Sequence, residues 1–377
     1  MKPTKLFLSL AVPVLLGACT EKMGKIHCHI KGTVADSTYT MMLLAPSGSD
    51  FRVVDADSIP VIDGKFTFDL YVDEVMPYQL VSMEEHNLGC MYPCEFFAEE
   101  GTINATFYHY ERDAKPPTVK CDGPINMKFR EYDAELNRRL APLLQEIDSL
   151  INIEQWDSPR MEELNTMFRV TMNKCTEEYI RSDLSIVGLF LLQRKALWMG
   201  HSEADDSLSI ALYNEVYQPQ FPHHPLSKQI ELWIQSRGIK VGSRYIDFSA
   251  PDLNGRKHTL SEEIAGKVAL IDLWASWCGS CRRTSKSMIP LYEKYKERGF
   301  TVVGVAREEK RENMERALAQ DGYPWLNLLE LHDENKIWSK YGVDNAGGIT
   351  VLVDRDGTIL AVHPTAEEVE RILLEKL

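Results

Sequence analysis

Two cysteines that are separated by two residues, Cys278 and Cys281, carry the strongest chemical signal in the sequence. They lie in the segment Trp-Ala-Ser-Trp-Cys-Gly-Ser-Cys-Arg of residues 274–282, directly after an apolar stretch and at the start of a helical pattern. A thiol at a helix N-terminus faces unpaired backbone N–H groups and the helix dipole, which lower its pKa from about 8.5 to about 7 or below. One cysteine then attacks a disulfide and the other resolves the mixed disulfide, so the spacing predicts thiol–disulfide exchange.

The same spacing occurs in zinc sites, which need four ligands. The sequence has no second Cys-x-x-Cys motif and no Cys–His pair at a suitable distance. The adjacent His223 and His224 lie in a proline-rich segment that is typical of a loop. We therefore predict no metal site, and no cofactor other than a redox-active disulfide between Cys278 and Cys281.

The elements that must position this pair lie in residues 245–377. Residues 268–274 predict a buried strand, and residues 281–298 predict a helix that Gly299 ends. Further strands are predicted over 300–306, 350–354 and 358–362, and further helices over 311–320, 335–341 and 367–377. Parallel strands with helical crossovers, followed by a hairpin and a helix, have a thioredoxin-like order.

Residues 245–377 resemble the thioredoxin-like proteins of the TlpA/ResA type. The resemblance rests on the Trp-Cys-Gly-Ser-Cys motif, on Phe-Ser-Ala-Pro-Asp-Leu-Asn-Gly at 248–255 and on Gly-Lys-Val-Ala-Leu-Ile-Asp-Leu-Trp-Ala at 266–275. It implies an α/β thioredoxin-like domain and a thiol–disulfide oxidoreductase that acts as a disulfide reductase. Cys278, as the more N-terminal and exposed thiol, would be the nucleophile, and Cys281 would resolve.

The resemblance also gives roles to side chains around the dithiol. Asp272 stands at the place of a buried carboxylate that relays a proton to or from Cys281; a surface carboxylate at the strand end is the alternative. A carboxylate in an apolar strand is costly unless it is neutral or functional. Trp277 would shape the contact surface beside the thiols. Substrate would bind against the opposite loop, which consists of Gly347, Gly348 and Ile349.

Three positions depart from the family pattern. Gly348 stands where the family has a cis-proline, Thr284 where close members have a glutamate, and Lys286 where many thioredoxins have a helix-kinking proline. A cis bond at a residue other than proline costs about 2.5–4 kcal/mol, so the loop is either trans or strained. Because glycine is flexible, we expect a looser loop and predict that Gly348→Pro turns over generic disulfides faster than the native chain.

The first residues resemble a bacterial lipoprotein signal. Lys2 and Lys5 precede an apolar run over residues 6–16, which is too short to span a membrane. Leu-Gly-Ala-Cys at 16–19 resembles a lipobox, which implies a signal peptide over residues 1–18 and a lipid on Cys19. A plain signal peptide is the alternative. We predict a lipid-anchored protein of the bacterial cell envelope that faces the periplasm.

Two further segments precede the thioredoxin-like one. Residues 25–120 form short alternating runs broken by turns such as Asp63-Gly64, which predicts a small antiparallel β-sandwich. Residues 125–240 change to helical spacing and predict a helical segment, with Gly238 and Gly242 marking a linker. This order resembles a Bacteroidetes-type envelope lipoprotein with an N-terminal β-domain.

Charge narrows the choice of partners. The chain of 377 residues has 56 acidic and 42 basic side chains and a net charge of −14, which argues against a protein that tracks a phosphate backbone with a basic face. The expected partners are protein thiols and disulfides in the envelope and an upstream electron donor, with no nucleic acid.

The acidic doublets at 99–100, 205–206 and 308–309 are predicted to be solvated. Cys90 and Cys94 either close a disulfide across a turn or stay reduced.

Two other functions stay open from the residues alone. A peroxiredoxin-like peroxidase would need a single peroxidatic cysteine after a Pro-x-x-x-Thr-x-x-Cys segment, which this sequence lacks. A partner-binding protein with weak redox activity would use the β-domain and the helical segment to hold its partner. Peroxide consumption tests the first alternative, and insulin reduction tests the second.

Overall fold

The structure, a computed structural model, describes residues 26–48, 56–89, 93–109, 116–198, 202–343 and 347–377. These residues form two compact units, of which the first extends to Met127 and the second runs from Lys128 to Leu377. The predicted signal peptide at 1–18, the predicted lipid site Cys19, and Cys90 lie outside the described residues. Within the described ranges, no helix is both long and apolar enough to cross a membrane.

Two four-stranded sheets form the first unit, with strand orders β4-β1-β7-β8 and β3-β2-β5-β6. The strands are β1 (Ile26–Val34), β2 (Met41–Pro46), β3 (Asp57–Pro60), β4 (Lys65–Val72), β5 (Met76–Ser82), β6 (Cys94–Ala98), β7 (Gly101–Phe107) and β8 (Thr118–Cys121). A short helix, α1 (Met83–Leu88), follows β5. Alternate side chains of both sheets fill one apolar core, so the predicted sandwich is confirmed.

One pairing in this unit differs from the antiparallel pattern. β1 runs antiparallel to β4 but parallel to β7.

Glu99, which the sequence predicts to be solvated, is buried at the turn before β7. Its carboxylate accepts hydrogen bonds from the backbone N–H groups of Ile125 and Asn126 and from the Asn126 amide. These bonds satisfy N–H groups at the start of the first long helix, which have no partner within the helix.

Five helices form the first part of the second unit or lead into it. They are α2 (Pro124–Asn152), α3 (Pro159–Ser182), α4 (Ile186–Trp198), α5 (Glu203–Leu212) and α6 (Pro225–Ser236). The helix α5 continues into one π-helical turn over Tyr213–Tyr217. His224 precedes α6, and its Nδ1 accepts the backbone N–H of Leu226 over 3.2 Å. His224, the second of the two adjacent histidines, is therefore the N-cap residue of this helix.

The thioredoxin-like part is a five-stranded sheet of order β13-β12-β11-β14-β15 with helices on its faces. Its strands are β11 (Val268–Trp274), β12 (Phe300–Glu308), β13 (Leu326–Leu331), β14 (Ile349–Val353) and β15 (Ile359–Val362), preceded by the hairpin β9 (Ser249–Pro251) and β10 (Lys257–Thr259). Its helices are α7 (Leu260–Glu263), α8 (Gly279–Tyr295), α9 (Arg311–Asp321), α10 (Ile337–Lys340) and α11 (Ala366–Lys376). This confirms the predicted fold class.

The central strand β11 explains why the site forms at one end of the sheet. All seven of its residues are buried, because helices cover both faces. β11 runs parallel to β12 and antiparallel to β14, so that Leu273 pairs with Ile349. The loop that precedes β14 therefore meets the segment that follows β11, which contains the cysteines.

Two features of this part were not predicted. β13 was missed because the polar Asn327 and Glu330 interrupt its apolar run, although both side chains are buried and hydrogen-bonded. The predicted linker is also tied to the sheet. Gly242 N–H donates to the carbonyl of Ile359 over 2.9 Å, and Ile359 N–H donates to the carbonyl of Ser243 over 2.7 Å.

Candidate active site

Cys278 and Cys281 are joined by a disulfide at the N-terminus of α8, with their Cα atoms 5.3 Å apart. Cys278 is the N-cap residue of this helix, and its Sγ accepts the backbone N–H of Cys281 over 3.2 Å. The hydroxyl of Ser280 lies 3.4 Å from the same sulfur. Once the disulfide is reduced, these donors and the helix dipole favour the thiolate of Cys278 over its thiol.

Exposure does not distinguish Cys278 in the way the sequence analysis expected. Cys278 is buried, with 6 % of its surface exposed, whereas Cys281 is half-buried. The expectation that Cys278 is the more exposed thiol is therefore wrong. Its position as the N-cap of α8 is the feature that distinguishes it, because a helix cap offers N–H groups to an anion.

The glycine loop closes over the dithiol from the side of β14. Gly348 N–H donates a hydrogen bond to Cys281 Sγ over 3.1 Å. Gly347 has a φ of 132°, a region that favours glycine, and a Cβ on it would lie 3.7 Å from Cys278 Sγ. The described residues contain no cis peptide bond, so the bond between the two glycines is trans. The loop of Gly347, Gly348 and Ile349 thus lies opposite the cysteines, as expected.

The backbone around Gly348 leaves no space for a side chain. A Cβ on Gly348 would lie 1.6 Å from the carbonyl oxygen of Leu273, which belongs to the backbone of the central strand β11. A proline at this position would meet the same oxygen and would also lack the N–H that reaches Cys281. The expected gain in turnover for Gly348→Pro therefore conflicts with the structure.

Asp272 lies in the interior of β11, so the alternative of a surface carboxylate at the strand end is excluded. It is 1 % exposed, and burial raises the pKa of its carboxyl to about 7, while a hydrogen bond from Ser285 opposes the shift. The Ser285 hydroxyl lies 2.6 Å from Asp272 Oδ2 and 3.0 Å from the carbonyl oxygen of Cys281. The carboxyl group is thus linked to the helix turn that contains Cys281, and it titrates near neutral pH.

A cleft of about 480 Å³ joins these groups. Cys281 and Asp272 both line it, and so do the loop glycines and Ile349. Thr284, which stands at the place of the family's glutamate, lines the same cleft, so this wall carries a hydroxyl instead of a charge. Lys286, at the place of the kinking proline, forms an ion pair with Asp321 over 2.6 Å. The proline of this helix is Pro290, four residues later.

Trp277 is the exposed aromatic residue beside the dithiol, with 53 % of its surface accessible. Its ring lies 6.2 Å from the ring of Trp338, which is fully buried in α10. The guanidinium of Arg307 lies 5.6 Å from the Trp338 ring. Trp277 is thus an exposed ring that packs on a buried one, two features that a role in shaping the contact surface would need.

Glu308 is a site residue that the sequence analysis missed, because its doublet with Glu309 was predicted to be solvated. Glu308 is 2 % exposed, and its carboxylate accepts the backbone N–H of Ser276 over 2.5 Å and the Ser276 hydroxyl over 2.7 Å. Burial raises the pKa of this carboxyl. The sequence did contain a hint of this position. Glu308 ends β12, and the carboxyl ends of neighbouring parallel strands meet at one edge of a sheet, where the segment after β11 also lies.

A second set of polar contacts holds the same loop from the helix side. Arg282, the residue after the motif, bonds the Asp321 carboxylate with two nitrogens, over 2.5 and 2.9 Å. A third nitrogen lies 3.3 Å from the carbonyl oxygen of Ser276. The guanidinium of Arg282 holds the pKa of Asp321 at about 2. Ser276 is therefore fixed by Glu308 and Arg282 together, and it precedes the dithiol by two residues.

Comparisons with known proteins match two stretches of the chain separately. The family described as AhpC/TSA matches residues 241–362, and the one described as a domain of unknown function (DUF4369) matches residues 28–123. The thioredoxin-like protein YneN of Bacillus subtilis is 33% identical over 140 residues, which are 36% of this chain and 80% of that protein. The thiol-disulfide oxidoreductase ResA of Geobacillus thermodenitrificans is 29% identical over 125 residues, 33% of this chain and 70% of that protein.

Among solved structures, the thioredoxin domain of a thiol-disulfide oxidoreductase from Bacteroides vulgatus is 25% identical. It covers 36% of this chain and 96% of its own, with a TM-score of 0.33. On the match to curated relatives, the chain belongs to the thioredoxin-like thiol–disulfide oxidoreductases of the TlpA/ResA type. It is therefore an enzyme of thiol–disulfide exchange.

Proposed function

We propose that the chain is a disulfide reductase of the bacterial cell envelope that uses Cys278 as its nucleophile and Cys281 as its resolving thiol. The observation that carries this proposal is the position of the pair, at the N-terminus of α8 with the two sulfurs in bonding contact. A helix N-terminus stabilises an attacking thiolate, and a second thiol three residues later reaches the mixed disulfide.

The reaction balances as a two-electron exchange. The Cys278 thiolate attacks one sulfur of a target disulfide, which forms a mixed disulfide and releases the first target thiolate. The Cys281 thiolate then attacks Cys278 Sγ, which forms the Cys278–Cys281 disulfide and releases the second target thiolate. The target gains two electrons and two protons, and an upstream dithiol donor in the envelope reduces the enzyme again.

Asp272 is proposed to take the proton of Cys281 before the second step and to return it when the enzyme is reduced again. Three features support this role: the carboxyl lines the same cleft as Cys281, it is linked through Ser285 to the turn of α8 that contains Cys281, and its pKa is about 7. A general base works best when its pKa lies near the operating pH. Trp277, Gly347, Gly348 and Ile349 are proposed to contact the substrate chain around its disulfide.

The location in the envelope rests on the lipobox-like segment that ends at Cys19, which lies outside the described residues. A diacylglycerol on this thiol would hold the protein at the membrane surface and leave the thioredoxin-like part facing the periplasm. Cys19→Ala is expected to move the protein from the membrane fraction to the soluble one. Retention of Cys19→Ala in the membrane, with no lipid mass on the native protein, would contradict the anchor.

Cysteine substitutions test the redox assignment directly. Cys278→Ser is expected to abolish insulin reduction with dithiothreitol as donor, because no thiolate is left to attack. Cys281→Ser is expected to accumulate a mixed disulfide with its target, which non-reducing electrophoresis and mass spectrometry detect. Cys175→Ser, which changes a buried cysteine in α3, serves as the matched control. Full activity of Cys278→Ser would rule the assignment out.

A peroxiredoxin-like activity is the second candidate, because the AhpC/TSA family matches residues 241–362. A peroxidase of that kind would oxidise a single cysteine with peroxide, whereas here the first cysteine has a resolving partner three residues away. We expect peroxide consumption to be slow compared with insulin reduction. The reverse order of rates would favour the peroxidase.

A further inference from the structure

Three metal-ligating side chains meet on the solvent face of the first unit. His27 and His29 belong to β1, and Asp69 belongs to the neighbouring β4. His27 Nε2 and His29 Nδ1 each lie 2.8 Å from the same carboxylate oxygen, Asp69 Oδ1. The three ligand atoms all lie within 4.8 Å of one another. Within the described residues, no other group of three or more His, Cys, Asp or Glu side chains brings its ligand atoms this close together.

The arrangement follows from the strand pattern. His27 and His29 are two residues apart, so their side chains point to the same face of the sheet, while Cys28 between them is buried on the other face. In the antiparallel register His29 lies directly opposite Asp69, and His27 lies opposite Tyr71. The carboxylate therefore reaches the imidazole directly opposite it and the one on the diagonal.

The group is held in place and remains open to solvent. The His27 ring stacks on Tyr71, with ring centroids 4.7 Å apart and an angle of 14° between the planes. The backbone N–H of His27 donates to the carboxylate of Glu100 over 3.0 Å, which places a second negative charge nearby. The side chains of His27, His29 and Asp69 are 40 %, 36 % and 54 % exposed, so water has access to complete a coordination shell.

We propose that His27, His29 and Asp69 bind a divalent transition metal ion such as Zn²⁺. Two imidazoles and one carboxylate form a ligand set that suits zinc and its neighbours, with solvent in the remaining position. Zinc binds imidazole nitrogen and carboxylate oxygen at about 2.0–2.2 Å, so ligand atoms around a tetrahedral ion are about 3.3 Å apart. The nitrogens need to move about 0.5 Å from Asp69 Oδ1 to reach this spacing, which is within the freedom of exposed side chains.

Binding of the ion replaces the two N–H···O contacts. His27 Nε2 and His29 Nδ1 each turn a lone pair to the metal, and each ring carries its remaining proton on its other nitrogen. An exposed aspartate is ionised at neutral pH, so the Asp69 carboxylate needs no deprotonation before it binds the ion. This proposal departs from the prediction of no metal site in the chain, because the sequence did not reveal that β4 brings Asp69 to the His-x-His pair.

Zinc titration of the full chain by calorimetry tests the proposal. The protein is kept oxidised, because the Cys278–Cys281 disulfide then removes the dithiol as a competing ligand. The expected result is saturable binding of one Zn²⁺ with a dissociation constant in the micromolar range. His27→Gln and Asp69→Asn are each expected to weaken the binding by at least about tenfold. His332→Gln, at an exposed histidine in the second unit, is the matched control and is expected to leave the binding unchanged.

Cobalt gives an independent reading of the ligands. Co²⁺ bound to nitrogen and oxygen is expected to show weak visible bands without the intense thiolate charge-transfer absorption that cysteine ligation produces. Circular dichroism confirms that the two variants are folded, and because both changed side chains lie on the surface, we expect native spectra. The proposal is overturned if zinc does not saturate below about 1 mM, if both folded variants bind as the native chain does, or if cobalt shows thiolate absorption.

Discussion

Gly348 and Cys281 are linked by a hydrogen bond in which the glycine N–H donates to the sulfur over 3.1 Å. The same glycine packs so closely on β11 that a Cβ would lie 1.6 Å from the carbonyl oxygen of Leu273. The absence of a side chain therefore allows the loop to approach the sulfur. The N–H then stabilises the Cys281 thiolate when the disulfide is reduced.

A side chain at position 348 is expected to damage both stability and activity. Gly348→Ala should lower the free energy of unfolding by about 1–3 kcal/mol, because the new Cβ displaces the loop from β11. Insulin reduction should slow as well, because the N–H moves away from Cys281. Gly348→Pro also loses that N–H and should be slower than the native chain.

Gly279→Ala is the stability control for Gly348→Ala. A Cβ on Gly279 would meet only Arg283 Nη1, at 3.6 Å, which is an ordinary van der Waals contact. Urea unfolding should therefore show a much smaller change for Gly279→Ala. Equal stability of Gly348→Ala and the native chain would contradict the close approach described for the loop.

Asp272→Asn is expected to change how stability depends on pH. Burial raises the carboxyl pKa in the folded protein to about 7, above about 3.9 in the unfolded chain. The folded state therefore binds more protons between these values, and native stability should fall as pH rises from about 4 to about 7. The free energy of unfolding falls by at most about 4 kcal/mol over this range, because a pKa difference of one corresponds to about 1.36 kcal/mol. The amide that replaces the carboxyl cannot ionise, so the variant should lack this part of the pH dependence.

Unfolding of the native chain and the Asp272→Asn variant by urea at pH 5 and pH 8 measures this difference. Insulin reduction by the variant should also be slower, with a flatter pH profile, because no carboxyl is present to exchange a proton with Cys281. If the free energy of unfolding changes equally between pH 5 and pH 8 in the two proteins, Asp272 does not titrate in this range.

Glu308→Ala is expected to loosen the segment before the dithiol. The substitution leaves the half-buried backbone N–H of Ser276 without its carboxylate acceptor, which should cost about 1–3 kcal/mol of stability. Turnover should fall, because Ser276 precedes Cys278 by two residues. Glu309→Ala is the matched control, since Glu309 is exposed and should change stability by no more than about 0.5 kcal/mol. Equal effects of the two substitutions would contradict the positioning role.

Asp321→Asn should remove an acid-sensitive contribution to stability. The hydrogen bond from Arg282 holds the Asp321 pKa at about 2, which is below about 3.9 in the unfolded chain. Its contribution is therefore present above about pH 4 and is lost as pH falls toward 2. Urea unfolding at pH 7 and pH 3 should show the variant clearly less stable at pH 7 and closer to the native chain at pH 3. If the free energies of unfolding of the variant and the native chain differ by the same amount at pH 7 and pH 3, the result would argue against a stabilising Arg282–Asp321 ion pair.

The sequence predicted most elements of the thioredoxin-like part, because their signals are local. The strand over 268–274 and the helix after Cys278 follow from apolar spacing and a glycine stop. β13 was missed because two of its side chains, Asn327 and Glu330, find buried partners that periodicity does not predict. The parallel pairing of β1 with β7 was missed for a similar reason, because it joins strands that are distant in the chain.

The residues of the candidate site likewise fall into some that the sequence predicted and others that it did not. The dithiol and the candidate Asp272 were predicted from spacing and from a family resemblance. The buried state of Glu308 depends on the place where β12 ends beside β11, and the close contact of Gly348 depends on the register of β14. These are relationships between strands, and a pattern within one strand does not determine them.

The hydrogen bonds between residues 242–243 and Ile359 have a consequence for proteolysis. A protease needs several residues in an extended, accessible form, and glycine-containing connections between domains commonly provide them. Here the backbone groups of Gly242 and Ser243 are already bonded to β15, and Gly342, beyond α10, packs within a few ångströms of Ser236 in α6. Limited digestion should therefore spare the connection at 238–245, and the helical segment and the thioredoxin-like part should resist separation into two fragments.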